Sequence, residues 1–119
     1  MAYDELLADR VRRILFDDNV VFEEKNMMGG LCIMVDDKMF CGIMFNKKHQ
    51  LDLVMCRIGE TAYEENIDRR GAMPMDFTGR PMKGYVFVAP EGFDSDHSLG
   101  HWLKLCLDFN PLAKSSKKK

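Results

Sequence analysis

The chain has 119 residues, with 46% hydrophobic and 30% charged side chains, which is enough apolar material for one globular domain with its own core and excludes a disordered or fibrous class. No apolar run approaches the length of a bilayer span, and the opening Met1-Ala2-Tyr3-Asp4-Glu5 lacks the basic start of a secretory leader, so the sequence reads as cytoplasmic with no membrane partner. The net charge of −2 hides an asymmetry: Lys114, Lys117, Lys118 and Lys119 sit in the last six positions, and without them 13 basic residues face 19 acidic ones. A body of about −6 is a poor match to phosphate backbones.

Tyr3 to Asp17 is a predicted amphipathic helix. Leu7, Val11, Ile14 and Leu15 recur at helical spacing, and Leu6 widens the stripe. Asp9 and Arg13 are placed as an i,i+4 pair. Arg10, Arg12 and Arg13 cluster near the helix end, but their acidic neighbours make a mixed solvent face rather than a nucleic-acid stripe. Asn19 suits a left-handed exit. Val20 to Lys25 reads as a strand whose charges mark it as an edge. Gly29-Gly30 predicts a bend, a bulge or a close backbone approach; no phosphate-loop pattern surrounds it and no helix follows.

Met27 to Ile58 then reads as three consecutive strands cut by the polar turns Asp36-Asp37-Lys38 and Asn46 to Gln50. With Asp36-Asp37 as a two-residue turn, Val35 faces Lys38 and Cys32 faces Cys41. Cys32, Met34, Met39 and Cys41 are then expected on one sheet face, and Leu31, Ile33, Phe40 and Gly42 on the other. Both faces are apolar, so helices of this chain are expected on one and more helix or a second subunit on the other. The four cysteines, Cys32, Cys41, Cys56 and Cys106, form no CxxC and read as buried reduced thiols.

Thr61 to Glu64 fits a capping box for a short helix running to about Arg70 and stopping at Gly71. Gly71 to Gly84, with two prolines and three glycines, cannot be a regular helix. Met75, Phe77 and Met82 are its apolar anchors. Asp76, Arg80 and Lys83 are brought near one another by the Thr78-Gly79-Arg80-Pro81 turn and, with Arg69 and Arg70, are the candidate partner- or anion-binding residues. The favoured reading of the same charges is a local ion pair that holds an ordered loop. Tyr85 to Ala89 is an interior strand. Asp94 or Ser95 caps the last helix, whose stripe is Leu99, Trp102, Leu103, Cys106 and Leu107, and Asn110-Pro111 stops it.

His97 and His101 lie four apart on that helix, a spacing that can supply two metal ligands, but no third ligand accompanies them. They read as a solvent-facing pair, and neither a metal nor a cofactor is expected. No nucleophile elbow or glycine-rich helix start is present. Ten methionines, most in or beside the sheet, suit an irregular core or an adaptable interface.

The Met27-Met28-Gly29-Gly30-Leu31 segment, the Val35 to Met39 turn and above all the stretch from Gly71 to Val86 resemble the N-terminal domain of the TfoX/Sxy family, and the Trp102-Leu103 helix after its acidic cap is similar too. The likeness covers nearly the whole chain. Members tend to carry Asn-Gly where this sequence has Asp36-Asp37. The resemblance implies an α+β fold, a two-layer sandwich with a mostly antiparallel sheet of about five strands and helices at the N-terminus, middle and C-terminus, in a secretion-chaperone-like arrangement. It implies one domain over residues 1–112, followed by a solvated basic tail, and a link to competence regulation and transcription co-regulation. It supplies no catalytic residues. The expected function is a non-enzymatic regulatory or protein-interaction domain with a protein partner, a homodimer among the options. A nucleic-acid-associated regulator using the basic loop and tail, and a small-ligand binder at the Gly71–Gly84 loop, are the alternatives.

Overall fold

The computed structural model describes residues 3–27, 30–47, 50–74 and 84–113, excepting the side chain of Met27. The expected residues Met75 to Met82, among them Asp76 and Arg80, together with Lys83, Gly29, the middle of the Asn46–Gln50 turn and the basic tail, lie outside the described residues. The chain forms α1 (Glu5–Asp17), β1 (Glu23–Met27), β2 (Gly30–Val35), β3 (Lys38–Asn46), β4 (Leu51–Arg57), α2 (Gly59–Asn66), β5 (Ala72–Pro74), β6 (Tyr85–Val88) and α3 (Asp96–Phe109), with single 3₁₀ turns at Pro90–Gly92 and Asn110–Leu112. The strands make one sheet in the order β1-β2-β3-β4-β6-β5, with every neighbouring pair antiparallel. The expected α+β class and helix placement hold. The sheet has six strands because Ala72–Pro74, read from sequence as loop, pairs with β6. Pro74 is tolerated there because β5 is an edge strand, where a missing N–H costs little.

All three helices share one face of the sheet. Leu7, Ala8, Val11 and Leu15 of α1, Tyr63 of α2, and Leu99, Trp102, Leu103 and Cys106 of α3 pack with Leu31, Ile33, Val35, Phe40, Cys41, Ile43, Val54, Cys56, Val86 and Val88. Asp4 caps α1, its Oδ1 accepting from the amides of Leu6 (2.9 Å) and Leu7 (3.4 Å). Asn19 takes the left-handed exit, with φ of 60°. Arg12 pairs bidentately with Glu24 of β1 and also meets Asp9, so it, rather than the expected Arg13, is the partner of Asp9. Arg10 reaches Asp96 at 3.0 Å and the carbonyl of Phe93 at 2.7 Å. Two arginines of the basic cluster therefore fasten α1 to β1 and to the start of α3.

The β2–β3 hairpin corrects the expected register. Val35 does face Lys38, but Phe40 is an extra residue on β3, so that Met34 pairs with Met39 while Ile33 pairs with Cys41 and Cys32 with Gly42. A bulge of this kind turns two successive side chains to the same side. Phe40 and Cys41 both enter the helix-covered core. Cys32 stays on the opposite face, where its thiol lies 3.6 Å from the Met34 sulfur. Cys32 and Cys41 are thus on different faces and are not opposed. Cys41 instead pairs with Cys56 of β4. The neighbouring Cys106 thiol and full burial push the Cys56 thiol well up, and burial does the same for Cys41, so both stay protonated and unreactive. All four cysteines are free and buried.

On the second face Leu53, Met55, Phe87 and Ala89 form a separate cluster flanked by Met39, Met44, Leu51, Met73 and Tyr85. Leu53 is fully buried and Met55 only 4% exposed within the single chain. The centre of this face is therefore buried within the single chain. Gly30 follows the close-approach reading: a Cβ there would come within 2.6 Å of the Ile43 carbonyl oxygen on β3.

The hairpin turn has φ of 55° at Asp36 and 62° at Asp37, the type I′ geometry that favours Asn-Gly. Lys38 beyond it donates to the carbonyls of Asn110 (3.0 Å) and Pro111 (3.4 Å), and Asn110 donates to the Val35 carbonyl at 3.3 Å. A cation thereby sits on the negative end of α3, and the turn is strapped to that helix end. Replacing the turn by Asp36→Asn with Asp37→Gly should stabilise the fold by about 1 kcal/mol, because the strained left-handed residues are relieved. Urea unfolding midpoints measure it; an unchanged or lower midpoint would contradict the turn assignment.

Candidate functional site

Of the sequence-expected partner- or anion-binding residues, only Arg69 and Arg70 are among the described residues. Arg69 and Arg70 are exposed after α2 and line a cleft of about 210 Å³ with Glu91, Asp94, Ser98 and Trp102. The Arg70 guanidinium is 4.0 Å from the Asp94 carboxylate. Acidic groups therefore offset these arginines.

The histidines separate in role. His97 is exposed, whereas His101 turns its Nε2 to the Asn66 Oδ1 at 3.2 Å. Asn66 is buried and donates to the Ala62 carbonyl at 2.8 Å. This bridge joins the end of α2 to α3. Partial burial, followed by the nearby charges of Arg69, His97 and Lys104, holds the His101 imidazole below its ordinary value and so favours its neutral form. No group of three or more His, Cys, Asp or Glu able to hold a metal occurs among the described residues.

A concavity that the sequence reading did not single out lies at the start of α2. α2 begins at Gly59, two residues before the expected cap, and Thr61 is an interior residue of its first turn. The capping box is not formed. Ile58 stands at the cap position with no side chain able to accept, and the carbonyl of Gly84 takes the amides of Ile58 (2.8 Å) and Gly59 (3.1 Å) in its place. Gly59 has φ of +85°, and a Cβ on it would lie 2.5 Å from Cδ1 of Phe109. The bare backbone lets the Phe109 ring lie directly on the start of α2.

Two clefts flank that ring. One, of about 330 Å³, is lined by Arg57, Gly59, Glu60, Thr61, Gly84 and Tyr85 together with Phe109. Arg57 places its guanidinium 5.7 Å from the Tyr85 ring centre and 5.9 Å from that of Phe109, a cation–π arrangement on two sides. The other, of about 310 Å³, runs between α2 and α3 over a floor of Ile58, Ala62, Leu105 and Phe109, with Leu112 at its lip. Arg57 and Phe109 escape sequence reasoning because they meet only through folding. A glycine at the acidic start of α2 and a leucine beyond Pro111 are local signals that went unread.

The fold and these clefts define a two-layer α+β domain with a solvent-open seam between its second and third helices. The family model for the TfoX N-terminal domain matches residues 15–110, and the chain belongs to that family. Comparison with curated proteins finds no match. No helix among the described residues is long and apolar enough to cross a membrane.

Gly59→Ala should cost about 2–4 kcal/mol, the sum of a left-handed side-chain penalty and an overpacked ring. Denaturant titration measures it, and a loss below about 0.5 kcal/mol would show that Phe109 does not rest on that backbone. For His101 the folded-state value is the lowered one, so the unfolded chain binds the proton more readily. Its contribution is intact above the ordinary 6.5 and is lost as pH falls through that value, levelling off below the folded one. His101→Gln, which can still donate to Asn66, should therefore shrink the drop in stability between pH 7.5 and pH 5; an unchanged drop would remove His101 as its source.

Proposed function

We propose that this chain is a non-enzymatic regulatory domain that acts through contacts with other proteins in the cytoplasm, the role its likeness to TfoX/Sxy competence and transcription co-regulators implies. The observation that carries this reading is the apolar seam between α2 and α3, where Ala62, Leu105 and Phe109 are only half-buried and the lip, Leu112, is 77% exposed. Further large apolar side chains stand in water at Phe16 (78%) on α1 and Val21 (86%) just after it. The described basic residues lend less to a nucleic-acid role: Arg10 and Arg12 are engaged by Asp96 and Glu24, and Arg70 neighbours Asp94. A homodimer through the second sheet face has little left to bury, since Leu53, Met55, Phe87 and Ala89 are already covered. The partner in this reading is a different protein.

The test is site-directed photo-crosslinking in the native cell, with the reactive residue at Leu112, Phe16, Phe45 (an exposed apolar side chain of β3) or Arg13 in turn. Protein adducts are expected at Leu112 and not at Arg13. A chain that forms no adduct from any of the four positions, or one that retards duplex DNA at low salt, where phosphate binding is strongest, would overturn the reading.

A further inference from the structure

The seam between α2 and α3 also carries information about what docks on it, and the inference rests on the protein-contact reading. Its apolar floor is bordered by three carboxylates, Glu60 and Glu65 from α2 and Asp108 from α3. All three are exposed, and none takes part in a salt bridge among the described residues. No basic side chain lines this cleft; Lys104, one turn before Asp108, is exposed and outside the lining. Glu60 sits in the first turn of α2, where a carboxylate suits the helix dipole, and Arg57 lies on the far side of the Phe109 ring in the adjoining cleft, but Glu65 and Asp108 have no ion-pair partner among the described residues, so this slot presents a net negative rim. Such a rim selects what can approach.

We propose that this seam is the docking site for a basic segment of a partner protein, one that inserts a large apolar side chain onto Phe109 and sets flanking lysines or arginines against Glu60, Glu65 and Asp108. The apolar anchor supplies the buried contact, and the charges supply attraction at a distance and partner choice. The same carboxylates repel phosphate, so a nucleic acid or an anionic lipid surface is a mismatched occupant. The acidic body of a second copy is mismatched for the same reason. The chain's own Lys114 to Lys119 segment has the charge but no apolar side chain to fill the slot. A volume of about 310 Å³ admits one or two large side chains and suits a short segment better than a broad domain face.

The test uses the full chain and four labelled twelve-residue peptides read by fluorescence anisotropy. One carries a Leu-Phe pair between lysines, one the same pair between serines, one lysines without the pair, and one the pair between glutamates. Binding is expected only for the first, with affinity that falls as salt rises. Glu60→Gln with Glu65→Gln and Asp108→Asn should weaken it at least tenfold, and the corresponding lysine substitutions should transfer preference to the glutamate peptide. Leu112→Ser should weaken it while the carboxylates are intact. Circular dichroism and the melting temperature of each variant check that the exposed substitutions leave the fold unchanged. Equal binding of the lysine peptides with and without the apolar pair, or no loss on removing the three charges, would overturn the proposal. So would binding by the first peptide that appears only after Lys114 to Lys119 are deleted, since the tail would then be the occupant. If Leu112 crosslinks to proteins in cells while the lysine peptide fails to bind, the partner is not basic and the protein-contact reading stands. If no position crosslinks, both fall together.

Discussion

A sheet with apolar side chains on both faces has to be covered twice, and this fold uses its helices for only one of the two. α1, α2 and α3 lie together on the face that presents Leu31, Ile33, Val35, Ile43, Val54, Val86 and Val88, so the hydrophobic gain from that side is concentrated in one layer. The opposite face collects the more pliable side chains: Met39, Met44, Met55 and Met73 surround Leu53 and Phe87. Unbranched thioethers adapt to an irregular cover where β-branched residues would not. The division between stiff and pliable side chains follows the division between a helix-covered face and one without helices among the described residues.

The bulge at Phe40 makes that division possible in the hairpin. Without the extra residue, Cys41 would turn to the methionine face and the helix layer would lose a close-packed contact. With it, Phe40 and Cys41 enter together beneath α3, where Cys41, Cys56 and Cys106 come close. Small, weakly polar thiols suit the crowded centre of such a layer, and their raised ionisation keeps them neutral in it.

Packing three helices on one face also leaves seams between them. Where α2 meets the end of α3, contact is made by one ring on one bare backbone, Phe109 on Gly59, and the space on either side stays open. The polar bridge from His101 to Asn66 closes the far end of α2 against α3. The helices are thus held at one end by a hydrogen bond and at the other by a ring, with the apolar floor exposed near the ring. The TfoX N-terminal domain match over residues 15–110 takes in both helices of this seam; the seam is apolar surface that the packing of the helices leaves uncovered.

Local sequence was sufficient for every element whose cause is local. The alternation and short polar turns of Leu31 to Arg57 specified strands, the 3.6-residue stripe specified α1 and α3, and Asn19 and Ser95 carried their own end signals. It was insufficient wherever a neighbour distant in the chain chose between local options. Thr61 to Glu64 has the residues of a capping box, yet the carbonyl of Gly84 met the chain two residues earlier and the helix began there. Ala72–Pro74 has the composition of a loop and became a strand because β6 offered a free edge. Cys41 changed faces because a bulge is paid for by packing against helices that no window of the hairpin contains. The candidate basic residues were chosen by turn chemistry, whereas the seam beside Phe109 joins positions some fifty residues apart. The sequence by itself determined which segments are strands and helices and which sides of them avoid water, since periodicity and turn residues act over a few positions. Register across the bulge, the true start of α2 and the existence of the seam were decided only in three dimensions, because each depends on a contact whose two halves are far apart along the chain.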